Sequence, residues 1–145
     1  MRADFYLLSR DPVEAALPRV AKSVKGAGER LLVVSDDAEQ LAALDKALWE
    51  QFPEDFLAHG KAGEAHAARQ PLLLGESCTA VNSARFVAFA DGKWRDEAFG
   101  FQRAFLFFDT STIDAARGTW RMLGEREGVE RHFWKQDGGR WVEGP

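Results

Sequence analysis

Two arginines and a tryptophan lie close together in the last third of the chain. Arg117 and Arg121 are one helical turn apart, beside an apolar stripe that contains Trp120. An aromatic wall with a guanidinium group at its mouth suits an acidic peptide, or a chain end that carries a carboxylate. The alternative interpretation is that Trp120 belongs to the core and both arginines are solvated, and the residues alone favour it.

A second aromatic feature lies in the first half of the chain. Trp49 is at the edge of the apolar face of a predicted helix, and Phe56 follows in a loop. Trp and Phe anchor protein interfaces when they are exposed, so the two residues indicate a patch for a protein partner. They can equally fill the edge of the core, and the residues leave both interpretations open.

Motifs for nucleotide binding, hydrolysis and metal binding are incomplete. Gly26-Ala27-Gly28 follows a predicted helix, whereas a phosphate-binding glycine motif follows a strand and opens a helix. Residues 75–79 begin like a nucleophile elbow but lack its second glycine. Three side chains in a polar loop match no zinc-binding spacing, namely His59, Glu64 and His66. We therefore predict no catalytic residue, no metal site and no cofactor.

Short apolar runs alternate with amphipathic segments, and this pattern predicts the elements that position these residues. Strands are predicted at 5–8, 31–34, near Phe56-Leu57, at 71–74, 85–88 and 101–108, and in a terminal hairpin of 132–135 and 140–142. Helices are predicted at about 12–28, where Pro18 allows a kink, at about 37–52, and from about Thr110 to Glu125 or Glu127. The alternation favours an α/β domain with a mostly parallel sheet flanked by helices.

Length and charge limit what this domain can bind. The 145 residues predict one domain, 1–145, with a single core. A net charge of −4 argues against a protein that coats DNA or RNA, because phosphate binding needs a basic surface. No apolar run is long enough to span a membrane or to act as a signal peptide, and the lone Cys78 excludes an intrachain disulfide. We therefore expect a cytoplasmic location.

Several motifs occur in a specific order. Leu44-Asp45-Lys46-Ala47-Leu48-Trp49 is followed by 56–64, which has the pattern Phe-x-x-His-x-x-Ala-Gly-Glu. The flanking motifs are Phe5-Tyr6-Leu7-Leu8, Pro71-Leu72-Leu73-Leu74, Phe108-Asp109, Ala116-Arg117, Trp120-Arg121 and Phe133-Trp134-Lys135-Gln136. In this order and over nearly the whole chain, they resemble the chi subunit family of the bacterial DNA polymerase III holoenzyme.

The resemblance implies a Rossmann-like α/β domain that binds no nucleotide and serves as a non-catalytic subunit of the clamp-loader assembly. Members of that family bind the psi subunit on one surface and the acidic C-terminal tail of single-stranded DNA-binding protein on another, so DNA is contacted mainly indirectly. The resemblance assigns the tail site to Phe108, Arg117, Trp120 and Arg121. It assigns the psi-facing surface to Trp49, Phe56, His59 and Glu64.

Each residue of the implied tail site has a role that suits its chemistry. Arg117 would form a two-pronged hydrogen bond to the terminal carboxylate of the tail. Phe108 and Trp120 would bury the terminal aromatic ring, and Arg121 would attract the acidic residues upstream. The alternatives are a small-molecule or nucleotide-binding α/β enzyme with an unrecognised site, and an interaction domain that works outside replication.

Overall fold

The computed structural model describes residues 1–55, 57–137 and 140–144, in which eight strands form one sheet and three α-helices flank it. The strands are β1 (Arg2–Leu7), β2 (Leu31–Val34), β3 (His59–Lys61), β4 (Leu72–Gly75), β5 (Phe86–Phe89), β6 (Arg103–Phe108), β7 (Glu130–Asp137) and β8 (Arg140–Glu143). The helices are α1 (Val13–Gly26), α2 (Ala38–Glu50) and α3 (Ile113–Gly124). Within these residues no helix is both long enough and apolar enough to cross a membrane.

The sheet has the strand order β3-β4-β2-β5-β6-β1-β7-β8. All neighbouring strands in this order are parallel except β7 and β8, which are antiparallel. The connection through α1 leaves β1 toward β2, and the connection through α3 leaves β6 toward β7. The predicted α/β fold with a mostly parallel sheet is therefore confirmed.

Apolar side chains cover both faces of the central strands, as the sequence pattern indicates. In β2 all four residues are buried, because Leu31 and Val33 face one core while Leu32 and Val34 face the other. Helices α1 and α2 pack on the first face. Helix α3 packs on the second face through Ala116 and Leu123.

Local signals set most helix boundaries. The Asp37 side chain accepts hydrogen bonds from the amides of Glu39 and Gln40, at 2.9 and 3.3 Å, and so caps the start of α2. Helix α1 begins directly after Pro12 and continues through Pro18 without a break. The chain turns after α1 at Gly28, whose φ of 76° a side chain disfavours.

Several predicted boundaries were wrong, and β1 begins at Arg2 rather than at residue 5. The short strand near Phe56-Leu57 is instead β3, which begins at His59; Phe56 lies outside the described residues. Strand β6 begins at Arg103 rather than at 101, because residues 96–100 form a short 3-10 helix. Helix α3 begins at Ile113 rather than near Thr110, because the Asp109 carboxylate accepts hydrogen bonds from Ser111 and holds a turn there.

A buried carboxylate in β1 joins neighbouring strands, and the sequence pattern did not predict it. Asp4 is fully buried and accepts hydrogen bonds from Arg103 Nε at 2.7 Å, Arg2 Nη2 at 3.0 Å and Trp134 Nε1 at 3.0 Å. Burial opposes ionisation of Asp4, but these hydrogen bonds outweigh it and lower the pKa of the carboxyl group. The network ties β1 to β6 and β7.

Candidate functional site

A cavity of about 340 Å³ lies between α3 and the sheet. Strands β1, β6 and β7 supply its floor, and one face of α3 supplies its wall. All four residues of the predicted tail site line it. The lining side chains are Phe5, Leu7, Phe108, Ile113, Ala116, Arg117, Trp120, Arg121 and Phe133.

The interior of this cavity, which we call the α3 pocket, is aromatic. Phe108 is almost fully buried, and its ring lies 6.3 Å from that of Phe133. Trp120 packs edge-on against Phe5, with ring centroids 5.2 Å apart and planes at 87°. Trp120 is therefore half-buried. One part of its ring packs on Phe5, and the residue also lines the cavity.

The rim of the α3 pocket is cationic. The side chain of Arg117 is 65% exposed, and its Nη1 atom lies 3.7 Å from the carboxylate of Asp114, which is itself 95% exposed. Such a pair is weak, because both groups remain solvated. Arg121 is exposed and has no ion-pair partner among the described residues. Both guanidinium groups are thus accessible to an anionic ligand.

Besides the two arginines at the rim, Arg131 lies at this site and contacts Trp120. The spacing of residues in the sequence did not predict this contact. The guanidinium carbon of Arg131 lies 4.4 Å from the centroid of the Trp120 ring. Its Nη1 atom also donates a hydrogen bond of 2.8 Å to the Trp120 carbonyl oxygen. Arg131 is in β7, eleven residues further along the chain, so only the packing of α3 on β7 brings the two together.

The second predicted surface is centred on Trp49, which is 55% exposed at the end of α2. Its ring packs against that of the buried His59, with centroids 4.4 Å apart and planes tilted by 46°. The ring nitrogens of His59 lie 2.7 Å from the Asp45 carboxylate and 2.7 Å from the Leu57 carbonyl oxygen. His59 therefore lies beneath Trp49 and supports it, and both of its nitrogens are engaged within the chain.

The other predicted residues of that surface differ in position. Glu64 is exposed, and its carboxylate accepts a 2.7 Å hydrogen bond from the amide of Lys61, which closes the turn after β3. Phe56 lies outside the described residues. The structure thus brings Trp49 and His59 together, through a ring contact that the helical periodicity of α2 did not predict.

His132 has carboxylate neighbours on both sides. Its Nε2 atom lies 2.6 Å from the Glu130 carboxylate, and its Nδ1 atom contacts the carboxylate of Glu143 in β8. The hydrogen bonds with Glu143 and Glu130 raise the pKa of His132 above its ordinary value. The side chain therefore links β7 to β8 most strongly when it is protonated.

The residues considered for other chemistry occupy structural positions. Gly26 ends α1 and Gly28 lies in the turn before β2, so the glycine pair does not open a helix toward a phosphate group. Burial raises the pKa of the Cys78 thiol, and the nearby Glu97 carboxylate adds to the rise, which makes it a poor nucleophile. Among the described residues no three His, Cys, Asp or Glu side chains are grouped so that they could hold a metal ion.

Comparisons with known proteins show which family the chain is similar to. A family model described as "DNA polymerase III chi subunit, HolC" matches residues 1–130. The DNA polymerase III subunit chi of Escherichia coli is 34% identical over 77 residues, which are 48% of this chain and 52% of that protein. The protein of the same name from Haemophilus influenzae is 29% identical over 73 residues, 48% of this chain and 51% of that protein.

The two kinds of match differ in extent. The matched segment spans about half the length of the curated relatives. The family model, in contrast, covers both the Trp49 surface and the part of the α3 pocket that α3 supplies. On the strength of that coverage, the chain belongs to the DNA polymerase III chi subunit family.

Proposed function

We propose that this chain is a non-catalytic accessory subunit of the DNA polymerase III clamp-loader assembly. It binds the acidic C-terminal tail of single-stranded DNA-binding protein in the α3 pocket, and the psi subunit at the surface around Trp49. Together the two contacts link the replicase to coated single-stranded DNA in the cytoplasm. The observation that carries the proposal is that Phe108, Arg117, Trp120 and Arg121 converge on one cavity.

The α3 pocket suits a peptide that ends in an aromatic residue. Its volume of about 340 Å³ admits one large side chain, and Phe108, Trp120 and Phe133 offer ring faces and edges to it. Arg117 at the rim binds the terminal carboxylate through charge-assisted hydrogen bonds. Arg121 attracts the acidic residues that precede it, and salt screens this attraction because Arg121 is exposed.

The surface around Trp49 suits a second protein partner. An indole that is 55% exposed at the end of a helix is a typical interface anchor, because it buries a large apolar area on binding. The contact with the His59 ring restrains this indole before a partner arrives. A fixed side chain loses less conformational entropy on binding, which favours association.

The test is calorimetry with a peptide that carries several acidic residues and ends in phenylalanine with a free carboxylate. We expect a dissociation constant near micromolar, typical of a small transient contact. The same peptide with an amidated C-terminus should bind at least tenfold more weakly, because Arg117 loses its ionic partner (~1.4 kcal/mol per tenfold). Equal binding of the two peptides would refute the carboxylate clamp.

Substitution of Arg117 tests the same contact from the side of the protein. Arg117→Ala should weaken peptide binding by about 2 kcal/mol or more. Arg69→Ala is the matched control, because it also removes an exposed arginine but lies just before β4, near the β3 edge of the sheet. If Arg117→Ala and Arg69→Ala bind the peptide equally well, the site assignment is wrong.

A further inference from the structure

We propose that Arg131 is a positioning residue, which holds Trp120 in place as one wall of the α3 pocket. The absence of a side chain at Gly124 leaves the space through which Arg131 reaches Trp120. The identity of the ligand that contacts Trp120 rests on the proposed function. The contacts of Arg131 and Phe5 with Trp120, which we call the lock, lie within this chain, and neither Arg131 nor Phe5 is among the four residues assigned to the tail site. The two parts of the inference can therefore be tested separately.

Arg131 restrains both the ring and the backbone of Trp120. Its guanidinium carbon lies 4.4 Å from the centroid of the indole, which is a cation–π contact. Its Nη1 atom donates 2.8 Å to the Trp120 carbonyl oxygen. That oxygen is near the C-terminal end of α3, where the helix dipole also favours a cation. One side chain thus holds two parts of the same residue.

Phe5 completes the lock. It is almost fully buried in β1 and meets Trp120 edge-to-face at 5.2 Å. The indole therefore has a rigid core residue and an arginine as neighbours, each with a defined geometry. A wall that is already in place spares the entropy of ordering it when a ligand binds.

Gly124 gives Arg131 the space it needs. A Cβ atom on Gly124 would lie 2.6 Å from Nη1 and 2.9 Å from Cζ of Arg131, so the guanidinium would have to move. Gly118, in the same helix, has open space around the same position. Gly124→Ala is therefore a specific perturbation, because it displaces the guanidinium and leaves its charge in the protein.

Peptide binding provides the first test, with the same free-carboxylate peptide. We expect Arg131→Ala to bind it roughly fivefold more weakly, and Gly124→Ala to show part of that loss. The double variant should bind no more weakly than Arg131→Ala, because no guanidinium remains to be displaced. If Gly124→Ala binds like the unmodified protein, or if the two losses add in the double variant, the positioning role is refuted.

The indole N–H signal of Trp120, measured by NMR without peptide and assigned with Trp120→Phe, provides the second test. We expect this signal to shift in Arg131→Ala and in Gly124→Ala, and to stay in place in the Gly118→Ala control. A signal that moves in neither variant would overturn the lock. A signal that moves in a protein that binds no peptide would support the lock and refute only the proposed function.

Discussion

Asp114 competes with an anionic ligand for Arg117. Its carboxylate lies 3.7 Å from the guanidinium and repels the acidic residues of an approaching tail. Asp114→Asn should therefore tighten binding of the acidic peptide about two- to threefold at low salt, and less at high salt because the charges are screened. Calorimetry at two salt concentrations measures this effect. An affinity that does not change at low salt would contradict the prediction.

Single residues also show where sequence patterns fail. Trp120 falls within the apolar stripe of α3, so periodicity alone favoured a core position for it. In the structure it packs on Phe5 and lines the α3 pocket as well. The distinction depends on what α3 packs against, and the spacing of residues within α3 does not contain that information.

At the scale of elements, His132 tethers β8 to β7. The hydrogen bonds with Glu143 and Glu130 raise its pKa above 6.5 in the folded chain. The stabilisation is therefore fully present below about pH 6.5 and is lost as the pH rises through the higher folded pKa. We expect the free energy of unfolding to fall over this range in the unmodified protein. In His132→Gln this pH dependence should be reduced.

Urea unfolding at a series of pH values measures this dependence. His66→Gln is the matched control, because it removes an exposed histidine and leaves β7 and β8 unchanged. His66→Gln should retain the slope of the unmodified protein. If His132→Gln retains it too, the tether does not contribute to stability.

Elements with strong local signals were predicted well. The Asp37 cap and the apolar spacing of α2 indicated a helix that the structure confirms within two residues at either end. Strand β3 was misplaced because it is three residues long and contains Gly60 between His59 and Lys61. It is a strand because it pairs with β4, and this pairing is not local.

At the scale of the whole molecule, Asp4 connects β1 with β6 and β7. The pKa of Asp4 is lower in the folded chain than in the unfolded chain. Its contribution to stability is therefore present above about pH 4 and is lost as the pH falls through the pKa of the folded state. Asp4→Asn should lower the free energy of unfolding at neutral pH by roughly 3 kcal/mol, because Arg2 and Arg103 lose a buried partner. Urea unfolding at neutral and acidic pH measures both effects.

The comparison between pH values identifies the cause of any loss. If the ionised carboxylate is responsible, the difference between Asp4→Asn and the unmodified protein should shrink at acidic pH. A difference that is the same at both pH values would mean that packing in β1, rather than charge, accounts for the loss.

The sequence by itself determined the elements, their alternation and the order of motifs. The elements and their alternation depend on local properties, namely apolar periodicity, capping residues and short spacings, and these suffice for the α/β class. The order of motifs carries the resemblance that assigns Phe108, Arg117, Trp120 and Arg121 to a tail site. Only the tertiary structure decided that Arg131 and Phe5 hold Trp120, that His59 lies beneath Trp49, and that Asp4 is buried. The physical reason is that each of these contacts joins residues from different elements, so its formation depends on strand order and helix packing rather than on neighbours in the chain.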